Sequence, residues 1–152
     1  MIEVYRVADF IADFIEKIGV KNVFLLPGGG AMHLVDAVGK NKNIEVVACL
    51  HEQAAAISAE AYSRISENIG VAMVTTGPGA TNAITAVAGA WIESVPLMVI
   101  SGQCKRSDML RDSPLRQKGV QEVDIVKMVK SITKYSIIVE NPEDIQSVME
   151  KA

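Results

Sequence analysis

At 152 residues, 49% of them hydrophobic and 22% charged, the chain is long enough for one domain with a single real core. A net charge of −3 with no Lys/Arg cluster argues against nucleic acid as the main partner, and no apolar run reaches the roughly 18 residues of a membrane span. Cys49 and Cys104 lack metal-ligand spacing and read as free buried thiols, and the start, MIEVYRVADF, lacks the order of a signal peptide; together these predict a cytoplasmic location.

The chain alternates between two hydrophobic periods. Val7, Phe10, Ile11, Phe14, Ile15 and Ile18 follow helical spacing, and Gly19 stops that helix. The apolar run VFLL at 23–26 is closed by PGGG, and a helix is predicted over about 31–38. IEVVAC at 44–49 leads into a helix running to about residue 66. VAMVTT at 71–76 runs into GPGATN and a helix carrying Ile84, Val87, Ala88, Trp91 and Ile92. LMVIS at 97–101 is followed by an irregular stretch, 102–119, long enough to suggest a functional or mobile loop. A helix near 121–130 is expected to bury Ile125, Met128 and Val129, and YSIIV at 135–139 reads as a strand. NPEDIQSVMEKA reads as a last helix, with Asn141 as its cap, Pro142 in its first turn, and Glu143 and Asp144 suited to its dipole.

Strands that are continuous apolar runs separated by helices call for a parallel sheet covered on both faces. The predicted fold is therefore a three-layer α/β/α, doubly wound, mainly parallel sheet. Ligands of such sheets bind beyond the carboxyl ends of the strands. PGGG, HEQ, TTGPGATN and SGQ follow the first four strands and fall on that rim. Turn-making accounts for PGGG taken alone, but not for the four together. Gly77, Gly79 and Asn82 lack the third glycine of a dinucleotide motif, Gly28, Gly30 and His33 fail the same test, and there is no phosphate-binding G-x-x-x-x-G-K-[ST]. Helix N-termini at both loops could still attract an anion.

Glu52 stands in the first turn of its helix. Ala55, Ala56, Ala59 and Ser63 lie on the same side. An acid there is also an ordinary first-turn residue. The small face suits close approach to another surface, and desolvation readies a carboxyl group to share a proton with a nitrogen base.

PGGGAMHLVDA, HEQAAAISAEAYSR, TTGPGATNAITAVAGAWIESVPLMVISGQ and QEVDIVKMVKSITKY resemble the N-terminal, pyrimidine-binding domain of thiamine-diphosphate enzymes, nearest the acetolactate synthase large-subunit group. The resemblance covers nearly all of residues 1–152. It implies that Glu52 hydrogen-bonds the ring nitrogen of the cofactor's aminopyrimidine and favours the tautomer that takes the thiazolium proton. Glu52 would then be an acid/base relay one step from the substrate. By the same resemblance Pro78 and Asn82 line the aminopyrimidine pocket, Gly28 and Gly29 let the backbone approach cofactor and substrate, and Gln121 faces the substrate adduct. Pyruvate and a second keto acid would be the substrates. A homodimer or homotetramer is implied, with the diphosphate-binding domain of a second subunit completing each site. The small-residue face beside Glu52 is expected to lie at that boundary, with packing inside its own domain as the other reading.

The Gly-Asp-Gly…Asn motif that holds magnesium on the diphosphate is missing, and the family's domain continues into one more strand beyond the last helix. The chain is therefore expected to be a fragment of a longer protein, or else one of two split subunits, inactive alone, with magnesium held by another domain and FAD open for the whole enzyme. Val120 stands where acetolactate synthases have phenylalanine, and the 109–124 loop is more similar to relatives that transfer the acetyl unit to a keto-sugar in surface-polysaccharide synthesis. That transfer and a non-catalytic pyrimidine-type binding module are the alternatives. His33 could face the site, although a lone histidine at a helix start is commonly a surface or capping residue.

Overall fold

The computed structural model describes residues 5–152. Among them four strands, β1 (Asn22–Leu25), β2 (Glu45–Ala48), β3 (Gly70–Val74) and β4 (Leu97–Ser101), form one all-parallel sheet in the order β2-β1-β3-β4. The order reverses at β1: β2 lies on one side of it and β3 on the other, with Val23 paired to both Val46 and Val71. That reversal opens a crevice between the carboxyl ends of β1 and β3, where doubly wound sheets bind ligands.

The helices are α1 (Val7–Lys17), α2 (Met32–Lys40), α3 (Glu52–Ser66), α4 (Pro78–Asn82), α5 (Ile84–Glu93), α6 (Ile125–Val129) and α7 (Ile145–Lys151). Alternation along the strands divides the core in two. On one face Val23, Leu25, Val71, Met73 and Met98 meet α1, α2 and α7 through Ile11, Ile15, Val38, Ile145 and Met149. On the other, Ala72 and Val74 meet Ala56 and Ala59 of α3 and Ala83 and Ala86 at α5. The first face uses bulk to fill its layer; the second uses methyl groups, so α3 lies close on β3. A Cβ added to Gly70 would come 1.9 Å from the Ala59 carbonyl oxygen.

At the start of helix α1 the Asp9 carboxylate reaches back to Arg6, accepting from its backbone N–H at 3.1 Å and from its Nη2 at 2.6 Å. The helix ends at Gly19, whose φ of +87° takes the left-handed turn.

Several expectations are corrected. Residues 135–139 form no strand, although their composition suits one. An extended run needs a neighbour for its backbone hydrogen bonds, and no strand of the sheet pairs with it. Instead Tyr135 lies beneath the Lys151 ammonium, 4.8 Å from the ring centroid, and Val139 packs on the α1 side of the core. The helix near 121–130 is confined to α6 and a 3-10 turn, Lys130–Ile132, and Met128 is half exposed. Asn141 does not cap with its side chain; its Nδ2 donates to Asp144 Oδ2 at 3.2 Å. The two cysteines are unpaired and only half-buried.

The face of α3 made by Glu52, Ala55, Ala56, Ala59 and Ser63 is the buried face of that helix, packed on its own sheet. It is not available to a second subunit, so the boundary expected there is overturned. A cavity of about 450 Å³ opens at the opposite, amino end of the sheet, among Trp91, Leu97, Tyr135 and Lys151. No helix of the described residues is long and apolar enough to cross a membrane.

Candidate active site

The loops after β1 and β3 interlock at the crevice. Gly28 and Gly30 stand directly over Thr75 and Thr76: a Cβ on Gly28 would meet Thr75 Cβ at 2.4 Å, and one on Gly30 would meet Thr76 Oγ1 at 1.9 Å. The Gly30 N–H donates to Thr75 Oγ1 at 3.1 Å. Gly28 is thus also required by contact within the chain, where Thr75 leaves no room for a side chain. Over Gly29 the space is open, so an incoming group can reach its backbone. Thr76 Oγ1 is buried and has no hydrogen-bond partner among the described residues.

Glu52 begins α3 at the end of the β2 loop and is 8% exposed. Asn82, at the end of α4, donates from Nδ2 to Glu52 Oε2 at 2.8 Å. The other oxygen, Oε1, accepts no hydrogen bond from the described residues and lies beside Gly79, where an added Cβ would be 3.1 Å away. A largely buried carboxylate with one oxygen tethered by Asn82 and the other without a donor from the described residues leaves one acceptor open to a donor on a ligand.

The turn that presents Asn82 is specific to its sequence. Gly77 has φ +58° and ψ −111°, and Pro78 takes the first helical position, where its missing N–H costs nothing. Pro78 is exposed on the rim. The Gln121 carbonyl oxygen would be 1.7 Å from a Cβ on Gly77, so the 102–124 segment folds back onto this turn. Gln121 itself is exposed and held at φ +55°, an unusual value for a residue with a side chain. The structure therefore brings Glu52, Asn82, Gly79 and Gln121 to one end of the sheet, with Gly29 on the neighbouring β1 loop.

Two organising residues carried no local signal. Glu122 gathers the long loop: its carboxylate accepts from Leu110 N at 2.8 Å and from Gly119 N at 3.1 Å. Burial, and then the Glu122 charge, push the neighbouring Cys104 thiol upward in pKa. His51 is the second. Its Nδ1 accepts from the Gln53 N–H at 3.1 Å and caps α3. The sequence HEQ marked the site, but the cap is visible only in the backbone geometry. His33 is exposed at the start of α2.

The all-parallel α/β fold with this crevice is consistent with the family that the chain's sequence matches. The family described as "Thiamine pyrophosphate enzyme, N-terminal TPP binding domain" matches residues 5–128, and the chain belongs to that family. Its sequence is similar to the acetolactate synthase isozyme 3 large subunit of Escherichia coli (strain K12), 42% identical over 134 residues, which covers 88% of this chain and 22% of that protein. It is also similar to the chloroplastic acetolactate synthase of Arabidopsis thaliana, 38% identical over 95% of this chain and 21% of that protein. The acetolactate synthase large subunit of Buchnera aphidicola subsp. Schizaphis graminum is 36% identical over 99% of this chain and 25% of that protein. The chain thus spans about a fifth to a quarter of the length of these relatives.

Proposed function

We propose that this chain is the cofactor-activating domain of an acetolactate-synthase-like enzyme that decarboxylates pyruvate and passes the two-carbon unit to a 2-keto acid. The observation that carries the reading is the Glu52 carboxylate, buried at the crevice with Oε2 tethered by Asn82 and Oε1 free beside Gly79. That arrangement suits a protonatable ring nitrogen, and the relatives' name supplies the reaction class. Thiamine diphosphate, when bound, supplies the electron sink for decarboxylation.

The chain's own residues do the rest. Glu52 holds or releases a proton at Oε1, Asn82 fixes which oxygen faces the ring, and Gly79 leaves that oxygen uncovered. Gly29 admits the ligand to the β1 loop, Pro78 borders the opening, and Gln121 stands on the substrate side. Magnesium and a flavin belong to the reading of the complete enzyme; among the described residues no group of three His, Cys, Asp or Glu side chains could hold a metal ion. The diphosphate-binding half of the site, in a dimer or larger assembly, would come from a second subunit. Docking through the α3 alanine face is excluded, because that face is already buried.

The test uses the complete enzyme. Replacing Glu52 by Gln keeps the Asn82 contact sterically but removes the proton relay, and turnover is expected to fall by about 10²–10⁴ with the fold intact by circular dichroism. Near-normal turnover would remove Glu52 from the mechanism. A keto-sugar acceptor is the second reading, favoured by Val120, a smaller side chain than phenylalanine and 81% exposed beside Gln121. Product analysis separates them: acetolactate from pyruvate alone supports the first, and turnover only with a keto-sugar supports the second.

A further inference from the structure

We propose that His51 is a positioning residue that holds the first turn of α3, and with it Glu52, through a neutral imidazole protonated only at Nε2. The proposal deepens the reading of Glu52 and rests on that reading only for its effect on turnover.

Helix α3 must satisfy its first N–H groups from outside the helix. His51 has extended backbone, φ −155° and ψ 143°, while its carbonyl already accepts from Ala55 N at 3.0 Å. Its Nδ1 takes the Gln53 N–H at 3.1 Å. That bond fixes the tautomer, because a nitrogen that accepts carries no proton, and the neutral ring then bears its hydrogen on Nε2. An imidazolium would have a hydrogen on both nitrogens and no acceptor, and its charge would oppose the helix dipole.

Histidine is an uncommon choice where Asn, Asp, Ser or Thr prevails. Aspartate would cap as well but would set a second carboxylate one residue from Glu52. The imidazole accepts the bond without adding charge there. Because Glu52 is the first residue of α3, slack in this turn moves its carboxylate relative to two fixed points, Asn82 Nδ2 at 2.8 Å and the bare Gly79 backbone. His51 makes no hydrogen bond to either of these. It acts through the backbone.

The experiment reads the ring, the turn and the carboxylate separately. The chain has two histidines, so a long-range ¹H–¹⁵N spectrum of the 152-residue chain at about pH 8, above the ordinary imidazole range, is assigned with the variant His33→Gln. His51 should show a bare Nδ1 and a protonated Nε2 in a single tautomer; a protonated Nδ1 or a rapid average of the two would overturn the proposal. His51→Ala should lower Tm by about 2–4 °C and displace the Asn82 side-chain amide resonances, and His51→Asn should restore both. An unchanged Asn82 signal in His51→Ala, or no rescue by Asn, would also overturn it. In the complete enzyme His51→Ala should lower kcat severalfold and His51→Asn recover it. If the spectra and Tm behave as expected while kcat does not move, the Glu52 reading fails and the positioning of Glu52 stands.

Discussion

Thr76 sets the tone for the residue scale, because its hydroxyl is buried at 3% exposure beneath Gly30 with no partner among the described residues. An unpaired buried hydroxyl costs free energy that a methyl group does not. Thr76→Val is therefore expected to raise stability by about 1 kcal/mol, read as a higher urea midpoint at unchanged slope. A fall would mean that a bound water completes the hydroxyl. Gly30→Ala is expected to do the reverse, since its methyl would collide with the same oxygen, at a cost of about 2 kcal/mol. At this scale the sequence was informative about kind and silent about contact. Glu52 and Asn82 stood out in the one-dimensional chain as an acid after a strand and an amide in a glycine turn. That they share a hydrogen bond is a property of where β2 and β3 end. At Gly28 the sequence shows a glycine after a strand, but not that Thr75 of this chain crowds it.

Element by element, the outcome depended on whether a segment's partner is local. Helix α1 was legible because its period and its stop at Gly19 are local signals. Its cap also sets its response to acid. The Arg6 guanidinium holds the Asp9 carboxyl down to about 2, and Lys40 and Arg6 hold Asp36 below the usual carboxylate range. A carboxyl with a depressed native pKa contributes stability above its unfolded value and loses it as pH falls through the native one. The α1 cap should therefore weaken between about pH 4 and pH 2, and Asp9→Asn should flatten that part of a midpoint-versus-pH curve. The alanine face of α3 was legible as small but not in its direction, because a row of methyl groups does not say which surface it meets. The surfaces can be told apart by charge. Gly70→Ala, which drives a methyl into the Ala59 carbonyl, is expected to cost about 2 kcal/mol in thermal or urea unfolding. Ala61→Lys, on the exposed side of the same helix, should change stability by no more than about 0.5 kcal/mol. The 135–139 run was misread for the complementary reason: composition gives a strand's side chains, and only a neighbouring backbone gives it a ladder.

For the whole molecule, the doubly wound plan was readable from continuous apolar strands separated by helices. The reversal at β1 was not, since strand order is decided by which helix covers which face. The plan gathers every candidate residue on one rim and leaves the cavity of about 450 Å³ at the other end, among Trp91, Tyr135 and Lys151. On the proposed reading the rim offers the Glu52 carboxylate to a pyrimidine ring, and the described residues hold no group of three side chains fit for a metal ion. The 152-residue chain is accordingly expected to show no thermal shift with thiamine diphosphate and magnesium; a robust shift would mean that it holds more of the cofactor than the ring. The parallel ladders also govern how the chain reaches this form. Asn22 waits for Glu45, Val23 for Val71 and Gly70 for Leu97, so no two adjacent strands are joined by a tight hairpin. During synthesis β1 emerges before β2 and β3, and its two ladders are complete only when both have followed. Refolding from denaturant should be correspondingly unhurried, roughly milliseconds or slower, and the crevice among the last features to close.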